Sequence, residues 1–111
     1  MYSQGIIFQN LVFTSGQIPI NPENNELIKD NFKLEVHQVL KNLNAVLNAG
    51  GSSLQSVVKL TVFLIDLSFF SQVNEVFNDF FPIEPPARSA VQVSALPMNA
   101  RIEIEAIGLI Q

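Results

Sequence analysis

The run SVVKLTVFLI (Ser56–Ile65) constrains the fold more than any other stretch of this chain. It is dense in β-branched and aromatic residues and reads as a strand. Val58, Leu60, Val62 and Leu64 are expected to point one way, and Val57, Thr61, Phe63 and Ile65 the other, with Lys59 among them. Apolar character on both sides implies burial on both sides. Helices can cover one face; the second needs a different cover. Charged residues are 14% of the 111, against about 25% in ordinary soluble domains. A small domain has much surface to keep wet, so this composition points to surface hidden in an assembly. No apolar run reaches the roughly 18 residues of a membrane span. Self-association is the expected cover.

The remaining pattern places this strand in a single α+β domain over residues 1–111. Ile6–Phe8 and Leu11–Ser15 are short β-rich runs joined at Gln9-Asn10, a hairpin in which Asn10 is the residue suited to a positive φ. Gly16 through Glu26 holds Pro19, Pro22 and an Asn-Asn pair, and is expected to be loop. From Asn31 to Ala49, Phe32, Val36, Val39, Leu40, Leu43, Val46 and Leu47 form one helical stripe. Asp30 or Asn31 caps its start, and Gly50-Gly51 ends it. A second helix runs from a Ser68 cap to about Phe81, with an aromatic stripe expected to be core, and is stopped by Pro82 and Pro85-Pro86. Strands at Ala87–Val93 and Arg101–Leu109 complete a β-β-α-β-α-β-β order, two helices on one face of a mixed sheet.

Composition removes several chemistries. There is no cysteine, so disulfides, thiolate nucleophiles and Cys-based metal sites are excluded. The single histidine, His37, cannot build a His cluster. It flanks the helical stripe and reads as a partly solvated structural residue rather than a catalytic one. The formal net charge is −4 and the pI near 4.7, with six scattered cations, a poor match to a phosphate backbone. The opening MYSQG has neither a basic region nor an apolar signal core; the expected compartment is the cytosol, or the mitochondrion in a eukaryote.

What remains is sparse. Arg88 lies just inside a strand, where a charge is costly without a partner, and the following strand carries Glu103 and Glu105. Spacing leaves two readings open: a pocket that grips a small anion and positions a water, or an ordinary cross-strand ion pair worth a few tenths of a kcal/mol.

Tyr2-Ser3-Gln4, FTSGQIPINP (Phe13–Pro22), NLNAVLNAGGSSL (Asn42–Leu54), VVKLTVFLIDL (Val57–Leu67), VNEVFNDFF (Val73–Phe81), PPARSAVQV (Pro85–Val93) and IEIEAI (Ile102–Ile107) occur in the order seen in one family. The chain resembles the RidA/YjgF family, also called L-PSP endoribonuclease or translation-inhibitor proteins. The resemblance implies a chorismate-mutase-like fold and a homotrimer with a central barrel and ligand clefts between subunits. It implies hydrolysis of reactive enamines and imines, such as 2-aminoacrylate and 2-iminobutanoate, to 2-keto acids and ammonia, without cofactor or metal. Carried over, Arg88 clamps the substrate carboxylate and Glu103 orients the attacking water. Tyr2, Ser15, Gly16 and Asn74 line or close the pocket, as does Ala90, which stands where many members carry Cys; Glu105 has a structural or network role. Met98 replaces a common Lys, and Met1 directly precedes Tyr2. Two other functions fit the same clefts: a non-catalytic module binding small carboxylates, and the endoribonuclease or translation-inhibitor activity of the family's older names. The acidic charge balance weighs against the latter.

Overall fold

The computed structural model describes residues 1–111. In chain order the elements are β1 (Gly5–Phe8), β2 (Leu11–Thr14), β3 (Ile20–Asn21), β4 (Glu26–Leu27), α1 (Phe32–Ala49), β5 (Val57–Leu64), α2 (Phe70–Phe80), β6 (Ala87–Gln92) and β7 (Ile102–Leu109). Five strands form one sheet in the order β1-β2-β7-β5-β6. Only β5 and β6 run parallel, joined by the α2 crossover; the other pairs are antiparallel. The α+β arrangement, two helices against one face of a mixed sheet, is the one read from the sequence.

The apolar periods meet on the helix side. Val36, Val39, Leu40, Leu43 and Leu47 of α1 are fully buried against Leu60, Val62 and Leu64 of β5 and Ile102, Ile104 and Ala106 of β7. Asn31 is the α1 cap, its Oδ1 accepting from the Leu34 N–H at 3.1 Å, and the helix stops at Gly50 as expected.

Several local expectations are corrected. The Gly16–Glu26 loop contains the start of a small hairpin, β3–β4, closed by Asn25 at φ 62. In the β1–β2 turn it is Gln9, at φ 54, that takes the left-handed conformation, not Asn10. Ser68 does not cap the second helix, which has no side-chain cap of its own; Asp66 caps the short turn before it. Asp66 accepts from the Ser68 N–H at 2.8 Å, which holds its carboxyl below the ordinary range, and a 3₁₀ turn leads into α2. A β-bulge between Val57 and Lys59 swaps the expected facing at the start of β5, so Val57 is buried while Val58 is 47% exposed. The bulge inserts one residue, and a period of two cannot survive an insertion.

The opposite face of the sheet has no helix on it. Ile6 and Phe8 of β1, Phe13 of β2, Val91 of β6 and Leu109 of β7 share this face and are 36–62% exposed. So many large apolar side chains side by side on one open surface is unusual for a monomeric soluble domain. No helix is long and apolar enough to cross a membrane.

Candidate active site

Arg88 stands on the edge strand β6 in register with Leu60 of β5. Adjacent residues of paired strands share a face, so Arg88 projects to the helix side, beneath α2. Its Nη1 donates to Asn74 Oδ1 at 2.7 Å. The guanidinium carbon lies 4.8 Å from the Phe70 ring centroid and 5.3 Å from that of Phe77. Residues 70, 74 and 77 recur at helical spacing, so one face of α2 supplies both rings and the amide. Phe70 and Phe77, expected as core, thus also form a cradle for a cation. No carboxylate pairs with Arg88; the two ion pairs of the chain are Lys33–Glu75 and Arg101–Glu35. Arg88 therefore has no anionic partner and most of its donors free at a cavity of about 530 Å³, walled also by Asn78, Phe81, Pro85 and Pro86. Ala90, two residues on, packs against the core and is not part of that wall.

Glu103 is in register with Phe63 of β5 and points to the other, open face. β5 lies between β6 and β7, so a direct cross-strand pair between Arg88 and Glu103 is impossible within the chain. Glu103 instead borders a separate cavity of about 610 Å³ with Tyr2, Ser15, Gly16, Met98 and Glu105. This cavity and the Arg88 cavity have no wall residue in common.

The Glu103 side chain rests against Gly16. A Cβ built there would overlap the Glu103 carboxylate, so the absence of a side chain at position 16 makes room for it. The segment carrying Gly16 is fixed by paired backbone bonds from Gln17 to Ile104, at 2.9 and 3.1 Å. Ser15 donates its hydroxyl to the Ser3 carbonyl, and its N–H bonds Gln4 O at 2.8 Å. These contacts tie the N-terminal segment across the cavity, although Tyr2 itself is 72% exposed. Burial raises the Glu103 carboxyl above its ordinary value, and the neighbouring Glu105 charge raises it further. No three His, Asp or Glu side chains converge closely enough to ligate a metal ion.

Gly16→Ala should displace the Glu103 carboxylate while leaving the fold intact. Because angstrom-scale misplacement of a reacting group costs up to about 10²-fold, turnover is expected to drop by roughly that factor with an unchanged melting temperature. Full activity would mean that the carboxylate is not held where Gly16 receives it.

A family model described as Endoribonuclease L-PSP matches residues 1–110. The chain belongs to the RidA/YjgF family. The human 2-iminobutanoate/2-iminopropanoate deaminase is 41% identical over 108 residues, covering 97% of this chain and 79% of that protein. A RutC family protein of Pyrococcus horikoshii is 48% identical over 107 residues, 96% of this chain and 85% of that one. The crystal structure of RidA from the Antarctic bacterium Psychrobacter sp. matches with a TM-score of 0.93 at 46% identity, covering 98% of this chain and 88% of that chain. The RidA fold read from sequence motifs is thus the fold observed.

Sequence reasoning missed one charged pair. Glu35 is 1% exposed within the α1 stripe. Arg101 donates to both of its oxygens, Nε at 3.1 Å, and lies 5.4 and 5.2 Å from the Phe32 and Phe69 ring centroids. The hydrogen bonds it donates to Glu35 hold the guanidinium pKa above its ordinary value. The signal was present, because position 35 falls three after Phe32 and four before Val39. A carboxylate inside an apolar stripe calls for a cation.

Proposed function

We infer that this chain is an imine deaminase that hydrolyses 2-imino acids and their enamine tautomers to 2-keto acids and ammonia. What carries the reading is Arg88: a guanidinium held by a neutral amide and two rings, with no acid to neutralise it, facing a cavity of metabolite size. Such a fork pairs with a carboxylate through two parallel hydrogen bonds. The human relative, 41% identical over nearly the whole chain, is named for this reaction.

The chemistry asks for little more. Water adds to the electrophilic C=N carbon while Glu103 accepts one of its protons. The nitrogen of the resulting carbinolamine takes back that proton and departs as ammonia, while the hydroxyl gives up its own proton to solvent as the C=O bond forms. Neither a nucleophilic side chain nor a Lewis acid is required by that sequence. Burial and the neighbouring Glu105 raise the Glu103 pKa, which makes its carboxylate a stronger base than an exposed one.

Arg88 and Glu103 point to opposite faces of one sheet, so the complete site is proposed to form between chains of a homotrimer. One subunit supplies Arg88 and Asn74; its neighbour supplies Glu103, Gly16, Ser15 and Tyr2. The open apolar face finds its cover in the same assembly. RNA cleavage has less support, since Lys33 and Arg101 are already committed to carboxylates.

Mixing subunits tests this directly. Arg88→Ala removes two charge-assisted hydrogen bonds and should lower kcat/KM on the order of 10²-fold. Glu103→Gln should be similarly crippled. If each site joins two chains, refolding the two inactive variants together in equal amounts restores roughly a quarter of the sites, those pairing an intact Arg88 with an intact Glu103 across a heterologous interface. No recovery in a mixture shown to contain mixed oligomers would rule the shared site out.

A further inference from the structure

The Glu103 cavity has both polar and apolar walls. Among the polar residues, the side-chain donors of Ser15 and Gln17 are already used. The Ser15 hydroxyl bonds the Ser3 carbonyl, and Gln17 Nε2 donates to Gln4 Oε1 at 3.0 Å and to Ser15 O at 3.4 Å. Glu103 and Glu105 add negative charge. Beside Gln4 and Gly16, the remaining wall is Tyr2, Ile18, Ile20, Pro97 and Met98.

Met98 stands apart among these. It is 58% exposed, and its backbone is left-handed at φ 57, followed by Asn99 at φ 59. The left-handed region costs a residue with a Cβ roughly 1–2 kcal/mol. The turn keeps that conformation because it is pinned on both sides. Asn99 N–H bonds Leu96 O at 3.2 Å, Ala100 N–H bonds Pro97 O at 3.0 Å, and Ala100 is buried at 1% exposure. An apolar side chain is thus held out on a strained, anchored turn beside a carboxylate. A flexible thioether in such a place suits contact with apolar groups of varied shape.

We propose that Met98 is a specificity-determining residue, contacting the substrate side chain and favouring 2-imino acids with apolar side chains larger than methyl over polar or acidic ones. An acidic substituent would meet two like charges, those of Glu103 and Glu105. This inference rests on the deaminase reading above, with the substrate lying between Arg88 of one chain and the Glu103 cavity of the next.

The test compares wild type, Met98→Gly and Met98→Asn on imines generated in situ from alanine, leucine and glutamate by an amino-acid oxidase or dehydrogenase. Both replacements accept a positive φ, so both variants should melt no lower than wild type. One lost apolar contact in a substrate pocket is worth about 10-fold. The ratio of kcat/KM for the leucine-derived imine to that for the alanine-derived one should therefore fall about 10-fold in Met98→Gly. Met98→Asn should fall at least as far, and the glutamate-derived imine should be the poorest wild-type substrate. An unchanged ratio in both variants overturns the proposal, as does a fall in activity that follows dissociation of the oligomer. Failure of wild type on every imine would instead overturn the deaminase reading beneath it.

Discussion

Glu103→Gln is expected to lower kcat by roughly 10²–10⁴-fold, the range of a positioned general base, while making the folded chain more stable at neutral pH. Both effects have one cause. Burial, with Glu105 beside it, raises the Glu103 carboxyl pKa, so the folded chain holds this proton more tightly than the unfolded chain does. Between the unfolded and folded pKa values the native state binds more protons, and stability falls as pH rises. Stability from this group is present below the usual carboxylate range and is lost on passing through the folded value. A glutamine has no proton to lose. Wild type and Glu103→Gln should therefore melt alike in acid and diverge in favour of the variant as pH rises toward neutrality. A variant that is less stable at every pH would show that the charge is not strained by its surroundings.

The catalytic pH profile carries a second part of this prediction. If the ionised carboxylate takes the proton from water, kcat rises with pH along an acid limb lying above the ordinary carboxylate range. Glu105→Gln removes the neighbouring like charge and should move that limb down. In the proposed assembly Arg88 of the adjacent chain also faces Glu103, and an opposite charge favours the ionised form. Residual activity in Arg88→Ala should accordingly show its acid limb at higher pH than wild type. Identical limbs in the two proteins would separate the guanidinium from the carboxylate and leave the shared site without support.

The division between what the sequence displays and what it hides follows physical range. The α1 helix was legible because its cap, stripe and stop all lie within its own residues. The RidA motifs were legible because SGQIP, PPARS and IEIEA fall in one order along the chain. The facing of Arg88 and Glu103 was not legible, because it depends on β5 being inserted between two strands that follow one another in sequence. Spacing suggested neighbours; the parallel crossover makes them strangers on opposite faces. The bulge at Val57/Lys59 and the short β3–β4 hairpin are set by tertiary pairing, and neither leaves a periodic trace. Asn74 and Gly16 are visible as residue types only. Their use, one holding a guanidinium and the other yielding space to a carboxylate, appears when distant segments meet.

Glu35→Ala should be the most destabilising single polar substitution in the chain, by about 1.5–3 kcal/mol, the worth of hydrogen bonds to a charged group. Glu35 is almost fully buried, and Arg101 is both paired to it and stacked near Phe32 and Phe69. Removing the carboxylate leaves a partly exposed guanidinium beside two rings, without the acceptors that offset its partial desolvation. The pair as a whole is a different matter. Two charges taken out of water return little net energy, so Glu35→Leu combined with Arg101→Met should recover most of the loss and can equal wild type. Chemical denaturation of the two single variants and the double variant measures the coupling as a double-mutant cycle. A coupling near zero would place the stabilisation in the packing of the arginine stem and the two rings rather than in the charges. The pair also anchors the entry to β7, where Ile65 N–H bonds Arg101 O at 3.3 Å. Glu103 lies two residues beyond. An intact Glu35 should therefore matter to turnover as well as to stability, and a loss of kcat in Glu35→Ala under conditions where the chain remains folded would locate that link.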